Sequence, residues 1–102
     1  MKLTKQQVEG ITAKAKAYNR KCIAFTVVKE SQANGARVDM ARSEVLVAWG
    51  ELKGYIEACI NDRNLQVVAD FDRSAYSGWG VVDKTTGAIK MSGYGEEIGF
   101  WD

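Results

Sequence analysis

The apolar positions of the N-terminal segment recur at the spacing of an amphipathic helix. They follow one another at steps of three, four and three residues and share one helix face: Val8, Ile11, Ala15 and Tyr18. Thr4 and Gln7 stand at the spacing of a capping box, in which each side chain binds the other residue's backbone. The pattern therefore predicts a helix over residues 5–18.

A second stripe predicts a central helix that begins at Ser43 as N-cap and ends at residues 61–64. Its members are Val45, Trp49, Leu52, Ile56 and Cys59. Gly50, Gly54 and Ala58 form a row beside that stripe. Because glycine inside a helix costs about 1 kcal/mol relative to alanine, we expect something to pack closely on this row. A neighbouring strand or helix is the first interpretation, and a partner's side chain is the alternative.

The segment between the two stripes is rich in β-branched and aromatic residues. Residues 22–28 (CIAFTVV) are too short for a separate helix and predict a buried strand. Asn34-Gly35 is a strong turn signal, since both residue types accept positive φ. Beyond this turn, a return strand over residues 37–41 is one interpretation, and a helix that begins at Asp39 as N-cap is the other.

The C-terminal part shows the alternation of strands. In residues 65–72 the odd positions are apolar and predict an inward face. Residues 79–95 predict a hairpin, in which Asp83–Gly87 is a type I turn followed by a left-handed glycine. The side chains expected in or beside its core are Trp79, Val81, Ile89 and Met91.

These elements predict an α+β two-layer domain. It has an antiparallel sheet of four to five strands, with two helices packed on one face. The chain of 102 residues is 46% hydrophobic and 26% charged, as in ordinary soluble domains. At this length we expect residues 1–102 to form a single domain.

The composition excludes several kinds of catalytic and metal-binding site, because the sequence contains no histidine. It also contains no proline. Without imidazole there is no Ser-His or Cys-His nucleophile pair and no histidine ligand for zinc. Cys22 and Cys59 are predicted to be free thiols, since their spacing fits neither a metal knuckle nor a disulfide framework. We expect no enzyme activity, no cofactor and no bound metal. The sequence shows neither a signal peptide nor a membrane span, which predicts a cytoplasmic protein.

The net charge of +1 divides unevenly along the chain. Residues 1–42 carry a net charge of +6 and residues 43–102 a net charge of −5. The two halves either neutralise each other across the fold or form a basic and an acidic face. A basic face would bind phosphates, so a nucleic-acid-binding module is the alternative function. Its contacts would be Lys5, Lys14, Lys16, Arg20 and Lys21.

Asp70 and Asp72 lie two residues apart on a predicted strand, so both carboxylates leave the same face. Such a pair could hold Mg²⁺ or Mn²⁺ in a metal-assisted enzyme, which is a third and weaker hypothesis. A solvated strand face is the preferred interpretation, because no glycine-rich phosphate loop accompanies the pair.

The C-terminal third concentrates aromatic residues, glycines and acids. Tyrosine and tryptophan on loops give protein interfaces a large contact area with few rotatable bonds. The predicted partner-binding residues are Tyr76, Trp79, Tyr94, Glu96, Glu97, Phe100 and Trp101. The rings at the end of the chain either dock on their own domain or are offered to a partner.

The sequence therefore predicts a small non-enzymatic binding protein that docks stoichiometrically on a protein partner as an inhibitor or adaptor. In general character it resembles the small inhibitors of phages and mobile elements, such as anti-CRISPR and anti-restriction proteins. The resemblance is one of size and chemistry, and no motif carries it. The sequence makes no prediction of the oligomeric state.

Overall fold

The structure, a computed structural model, describes residues 2–32, 34–70 and 78–100. Two helices precede four strands: α1 (Lys5–Glu30), α2 (Gly35–Ile60), β1 (Leu65–Asp70), β2 (Gly78–Asp83), β3 (Ile89–Tyr94) and β4 (Glu97–Phe100). The strands form one antiparallel sheet in the order β1-β2-β3-β4, and the helices pack against it. The predicted fold class is confirmed, although the two helices follow each other directly.

Helix α1 begins where the sequence predicts and continues to Glu30. Thr4 and Gln7 form the predicted capping box: the backbone N–H of Gln7 donates to Thr4 Oγ1 at 3.0 Å, and that of Thr4 donates to Gln7 Oε1 at 2.9 Å. The strand predicted over residues 22–28 is wrong, because this segment belongs to the helix. Residues 22–28 contain no glycine or proline, and β-branched residues cost a helix at most about 0.7 kcal/mol each.

Asn34 and Gly35, which predict a β-turn, instead form the start of helix α2. The side chain of Asn34 is the N-cap and accepts a hydrogen bond from the backbone N–H of Arg37 at 3.0 Å. The predicted turn and the return strand over residues 37–41 are therefore wrong, and the helical alternative is right except that the helix starts earlier. Ser43 is not an N-cap, since its hydroxyl donates to the Asp39 carbonyl within the helix at 3.0 Å.

The predicted turn between β2 and β3 is confirmed. The carboxylate of Asp83 accepts hydrogen bonds from the backbone N–H groups of Thr86 at 3.0 Å and Thr85 at 2.8 Å. These bonds hold the pKa of Asp83 below its usual value. The N–H of Gly87 donates to the Asp83 carbonyl at 2.8 Å, and Gly87 has a φ of 76°, which favours glycine.

Of the hairpin side chains expected in or beside the core, Trp79, Val81 and Met91 are buried, although β2 shows no alternation because residues 78–81 are all buried. Val67 is buried and its neighbour Gln66 is exposed, as the pattern of β1 predicts. Residues 71–72 of the predicted strand lie outside the described residues. Ile89, expected in or beside the core, is 54% exposed. The register of β2 against β3 shifts at Val82, which pairs with Ile89 at the turn end of the hairpin.

One hydrophobic cluster joins the helices to the sheet. Its buried members are Ile11, Ala15, Tyr18, Cys22, Ala48, Leu52, Ile56, Val67, Trp79, Val81 and Met91. Tyr18 lies at its centre, with its ring centroid 5.4 Å from that of Trp49 and a hydrogen bond between its hydroxyl and the Cys22 thiol. Neither Cys22 nor Cys59 forms a disulfide within the described residues, as predicted.

The helices reach beyond the sheet. A helix of 26 residues is about 39 Å long at 1.5 Å per residue. A strand of six residues is about 20 Å long. Residues 23–30 of α1 are all at least partly exposed, and so are residues 35–47 of α2 apart from Ala41. We call these two segments the distal arm.

Burial of Tyr18 and Cys22 predicts a loss of stability in alkaline solution. Burial raises the pKa of the Tyr18 hydroxyl and that of the Cys22 thiol. Below about pH 8.5, the ordinary thiol pKa, both groups keep their protons in either state. At higher pH the unfolded chain releases these protons first, so the free energy of unfolding falls as the pH rises. Urea titrations across this range should show a shallower fall for Tyr18→Phe/Cys22→Ala, and an unchanged fall would contradict the prediction.

Gly93 in β3 leaves room for the indole of Trp79. A Cβ built at Gly93 would overlap the ring atoms of Trp79. At Gly80 the nearest atom to such a Cβ is the Met91 carbonyl oxygen at 3.7 Å, an ordinary contact. The sheet therefore needs glycine at Gly93 and tolerates a methyl group at Gly80.

Gly93→Ala should lower the free energy of unfolding by about 1–3 kcal/mol, the usual cost of overpacking a core. Gly80→Ala is the matched control and should change it by no more than about 0.5 kcal/mol. Urea unfolding measures both variants. Equal effects would show that the indole of Trp79 adjusts without cost.

Candidate functional site

Four of the predicted partner-binding residues lie together around strand β4, at the edge of the sheet. Tyr94 ends β3, Glu96 lies in the turn, and Glu97 and Phe100 bound β4. Among the described residues β4 pairs with β3 alone. All four are exposed, Tyr94 to 61% and Phe100 to 48%. We call Tyr94, Glu96, Glu97 and Phe100 the β4 edge.

The two rings of the β4 edge lie on opposite faces of the sheet. Phe100 is opposite Met91, which is buried in the core, so Phe100 points to the helix side. Glu97 is three residues from Phe100 and opposite Tyr94, so these two point to the other face. An aromatic side chain therefore flanks the edge strand on each face.

Trp79 does not belong to a binding surface. Its side chain is 2% exposed and lies in the core, and its indole N–H has no hydrogen-bond partner within the described residues. The prediction that Trp79 contacts a partner is thus corrected, because β2 runs through the interior of the sheet and carries Trp79 on its buried face. Tyr76 and Trp101 lie outside the described residues.

The five basic residues of the predicted nucleic-acid interface do not share one face. Lys14 Nζ lies 3.8 Å from Glu51 Oε2, and Lys21 Nζ lies 3.7 Å from Glu44 Oε1, so both form ion pairs with α2. Oppositely charged halves of the chain meet at these pairs. The remaining cations of the set, which helical periodicity places on another side of α1, are Lys5, Lys16 and Arg20.

The metal hypothesis finds no support in the described part of the chain. The side chain of Asp70 and all of Asp72 lie outside it. The described residues contain no group of three or more Cys, Asp or Glu side chains placed to hold a metal ion. A cleft of about 410 Å³ where α2 meets β1 has a lining of both charges, including Glu57, Arg63 and Lys84. Such a lining does not select for a cation.

Sequence reasoning missed the exposed apolar side chains of the helices. Large hydrophobic side chains that are more than half exposed there are Ile23, Val27, Met40, Leu46 and Val47. The prediction of a buried strand over residues 22–28 hid Ile23 and Val27. A signal was available for α2, since Met40 and Val47 stand seven residues apart, off the stripe that predicts its buried face.

Comparisons with protein-family models, with curated proteins and with solved structures find no match for this chain. No helix within the described ranges is long and apolar enough to cross a membrane.

The split of the basic residues predicts a shallow salt dependence for any binding of nucleic acid. Each phosphate contact adds about −0.9 to the slope of log K against log salt on duplex DNA. Lys5, Lys16 and Arg20 together should give a slope of about −3 at most. Fluorescence anisotropy with a short duplex measures the slope. A value near −4.5, expected for five contacts, would restore the predicted five-residue interface.

Proposed function

We propose that this protein is a non-enzymatic binding protein that docks stoichiometrically on a protein partner, as an inhibitor or adaptor, through the β4 edge. The observation that carries the proposal is the exposure of Tyr94 on β3 and Phe100 on β4, on opposite faces of the sheet, beside a strand that pairs on one side only among the described residues. Large exposed rings anchor protein interfaces, because they bury much area and lose little rotational freedom.

The charge of the β4 edge favours a basic partner. Glu96 and Glu97 are exposed between the two rings, and neither forms an ion pair within the described residues. Acidic groups at the rim of an interface accelerate association with a basic surface and exclude acidic ones. The side of β4 that no described residue pairs with can also accept an extended segment by strand addition. The partner that fits is thus a protein with an exposed basic strand or loop.

Inhibitors of the phage or mobile-element type, such as anti-CRISPR and anti-restriction proteins, form one class whose small size and stoichiometric action this proposal matches. Proteins that bind nucleic acid use basic surfaces, which an acidic edge complements. The nucleic-acid-binding alternative is less well supported, because Lys14 and Lys21 form ion pairs with α2.

The decisive variant is Tyr94→Ala/Phe100→Ala. Because both rings are exposed, the melting temperature should stay within a few degrees of the wild type. Binding of the partner should weaken by about thirtyfold or more, which corresponds to the roughly 2 kcal/mol of an interface hot spot. The tagged protein captures the partner from the cells that produce it, and calorimetry with the purified partner gives affinity and stoichiometry.

Ile89→Ala is the matched control, because Ile89 is an exposed apolar residue of β3 that pairs with Val82 of β2 and with no residue of β4. It should bind like the wild type. Equal binding by the double variant and the control would refute docking at the β4 edge. A large loss of melting temperature in the double variant would show that the rings belong to the core.

A further inference from the structure

The outer side of α2 carries a second exposed surface with the spacing of a coiled-coil seam. Its residues follow one another at steps of four, three, four, three and four: Ala36, Met40, Ser43, Val47, Gly50 and Gly54. All are exposed, and none is charged. Alternating steps of three and four place side chains along one line for packing against another helix. We call these six residues the α2 seam.

The glycines of the α2 seam pack against nothing in the described part of the chain. A Cβ built at Gly50 or Gly54 would meet no described atom within 4 Å. Gly10 of α1 is different, since a Cβ there would overlap the ring of Tyr55. Glycine in a helix interior costs about 1 kcal/mol relative to alanine. The contact that the glycine row predicts is therefore absent among the described residues at these two positions, and an external partner would account for it.

We propose that a second copy of this chain packs on the α2 seam, with the two α2 helices antiparallel about a two-fold axis. In this register each large seam residue meets a small one. Met40 lies opposite Gly50 of the second copy, Ala36 opposite Gly54, and Ser43 opposite Val47. The glycines then admit Met40 and let the helix axes approach closely.

Charges beside the α2 seam are complementary to their own copies in this register. On one flank Asp39 faces Lys53 of the second copy, and Leu46 faces Leu46 beside the two-fold axis. Lys53 forms no ion pair within the described residues. The Asp39 carboxylate lies 3.1 Å from Arg42 of its own helix, but its side chain remains 73% exposed and can face Lys53 as well. The two-fold axis repeats each contact, so this flank supplies two ion pairs and one apolar contact.

The charges on the other flank of the α2 seam also fit this register. Arg37 faces Glu51 of the second copy, whose side chain is 57% exposed and also lies 3.8 Å from Lys14 of its own chain. Glu44 faces its own copy near the axis, but each Glu44 already has Lys21 of its own chain at 3.7 Å. The like charges are therefore compensated before the helices meet.

Other arrangements of the two helices bring like charges together or leave the glycines without a facing residue. In a parallel pair Asp39 would face Glu44 of the second copy, and each glycine would face itself across a gap. An antiparallel pair shifted by one heptad in one direction would replace both ion pairs by two contacts between Glu44 and Glu51. Shifted in the other direction, it would leave Gly50 and Gly54 with no residue of the second α2 opposite them. The charges and the glycines together thus favour the antiparallel register centred near residue 45.

Sedimentation equilibrium of the full chain tests the proposal. The wild type should form a dimer, and Met40→Glu/Val47→Glu should raise its dissociation constant at least about tenfold, because carboxylates would enter an apolar seam. Val27→Glu is the matched control: it adds a charge at a similarly exposed valine of α1 and should leave the dimer intact. A wild type that is monomeric throughout, or a dimer indifferent to the seam variant, would overturn the proposal.

A charge reversal tests the register. Lys53→Glu places an acid opposite Asp39 of the second copy and should weaken the dimer. Asp39→Lys/Lys53→Glu restores opposite charges and should recover the wild-type dissociation constant, with circular dichroism confirming that α2 is intact. No weakening by Lys53→Glu, or no recovery in the reversed variant, would refute the antiparallel register.

The variant Gly50→Ala/Gly54→Ala tests whether the two glycines serve the contact between copies or affect only their own helix. The added methyl groups raise helix propensity and meet no atom of the described residues of their own chain. We expect the monomer to melt at a higher temperature while the dimer dissociates more readily. A dimer that is tightened by this variant would count against close approach at the glycines.

Tyr94→Ala/Phe100→Ala should remain dimeric, so failure of the seam and failure of the β4 edge are distinguishable.

Discussion

The difference in length between the helices and the strands determines most of this structure. Two helices of 26 residues pack on strands of at most six, so the sheet covers only part of the helical layer. Tyr18, between α2 and the sheet, is buried in the covered part. In the distal arm the helices contact mainly each other. The guanidinium carbon of Arg42 lies 5.6 Å from the ring centroid of Phe25. Large apolar side chains of this arm, among them Met40 and Val47 on the outer side of α2, remain exposed.

The sequence predicted those elements whose signals act over a few residues. The capping box of Thr4 and Gln7 and the turn from Asp83 to Gly87 depend on side chains that bind nearby backbone groups. It failed at residues 22–28, where β-branched residues favour a strand and the preceding helix favours continuation. Cys22, four residues after Tyr18, extended the helical stripe and was the available signal.

The candidate site was only partly predictable for a related reason. Composition gathered Tyr94, Phe100 and Trp79 into one aromatic set, but composition does not distinguish a ring at a sheet edge from one on an interior strand. That distinction comes from the strand order, which places β4 at the edge and β2 inside. Gly50 likewise looked like a place for a close contact, and the structure shows that no described residue of the chain makes that contact.

The two proposed surfaces belong to different layers, so a dimer formed through one would leave the other available to a partner. The α2 seam lies on the helical layer and the β4 edge on the sheet, so association of two α2 helices involves none of the β4 edge residues. A two-fold dimer would then carry two identical acidic edges. Two linked sites bind a target that repeats its basic surface far more tightly than one site does, provided that the spacing of the target matches. Dimerisation would thus select for partners that are themselves oligomeric or repetitive.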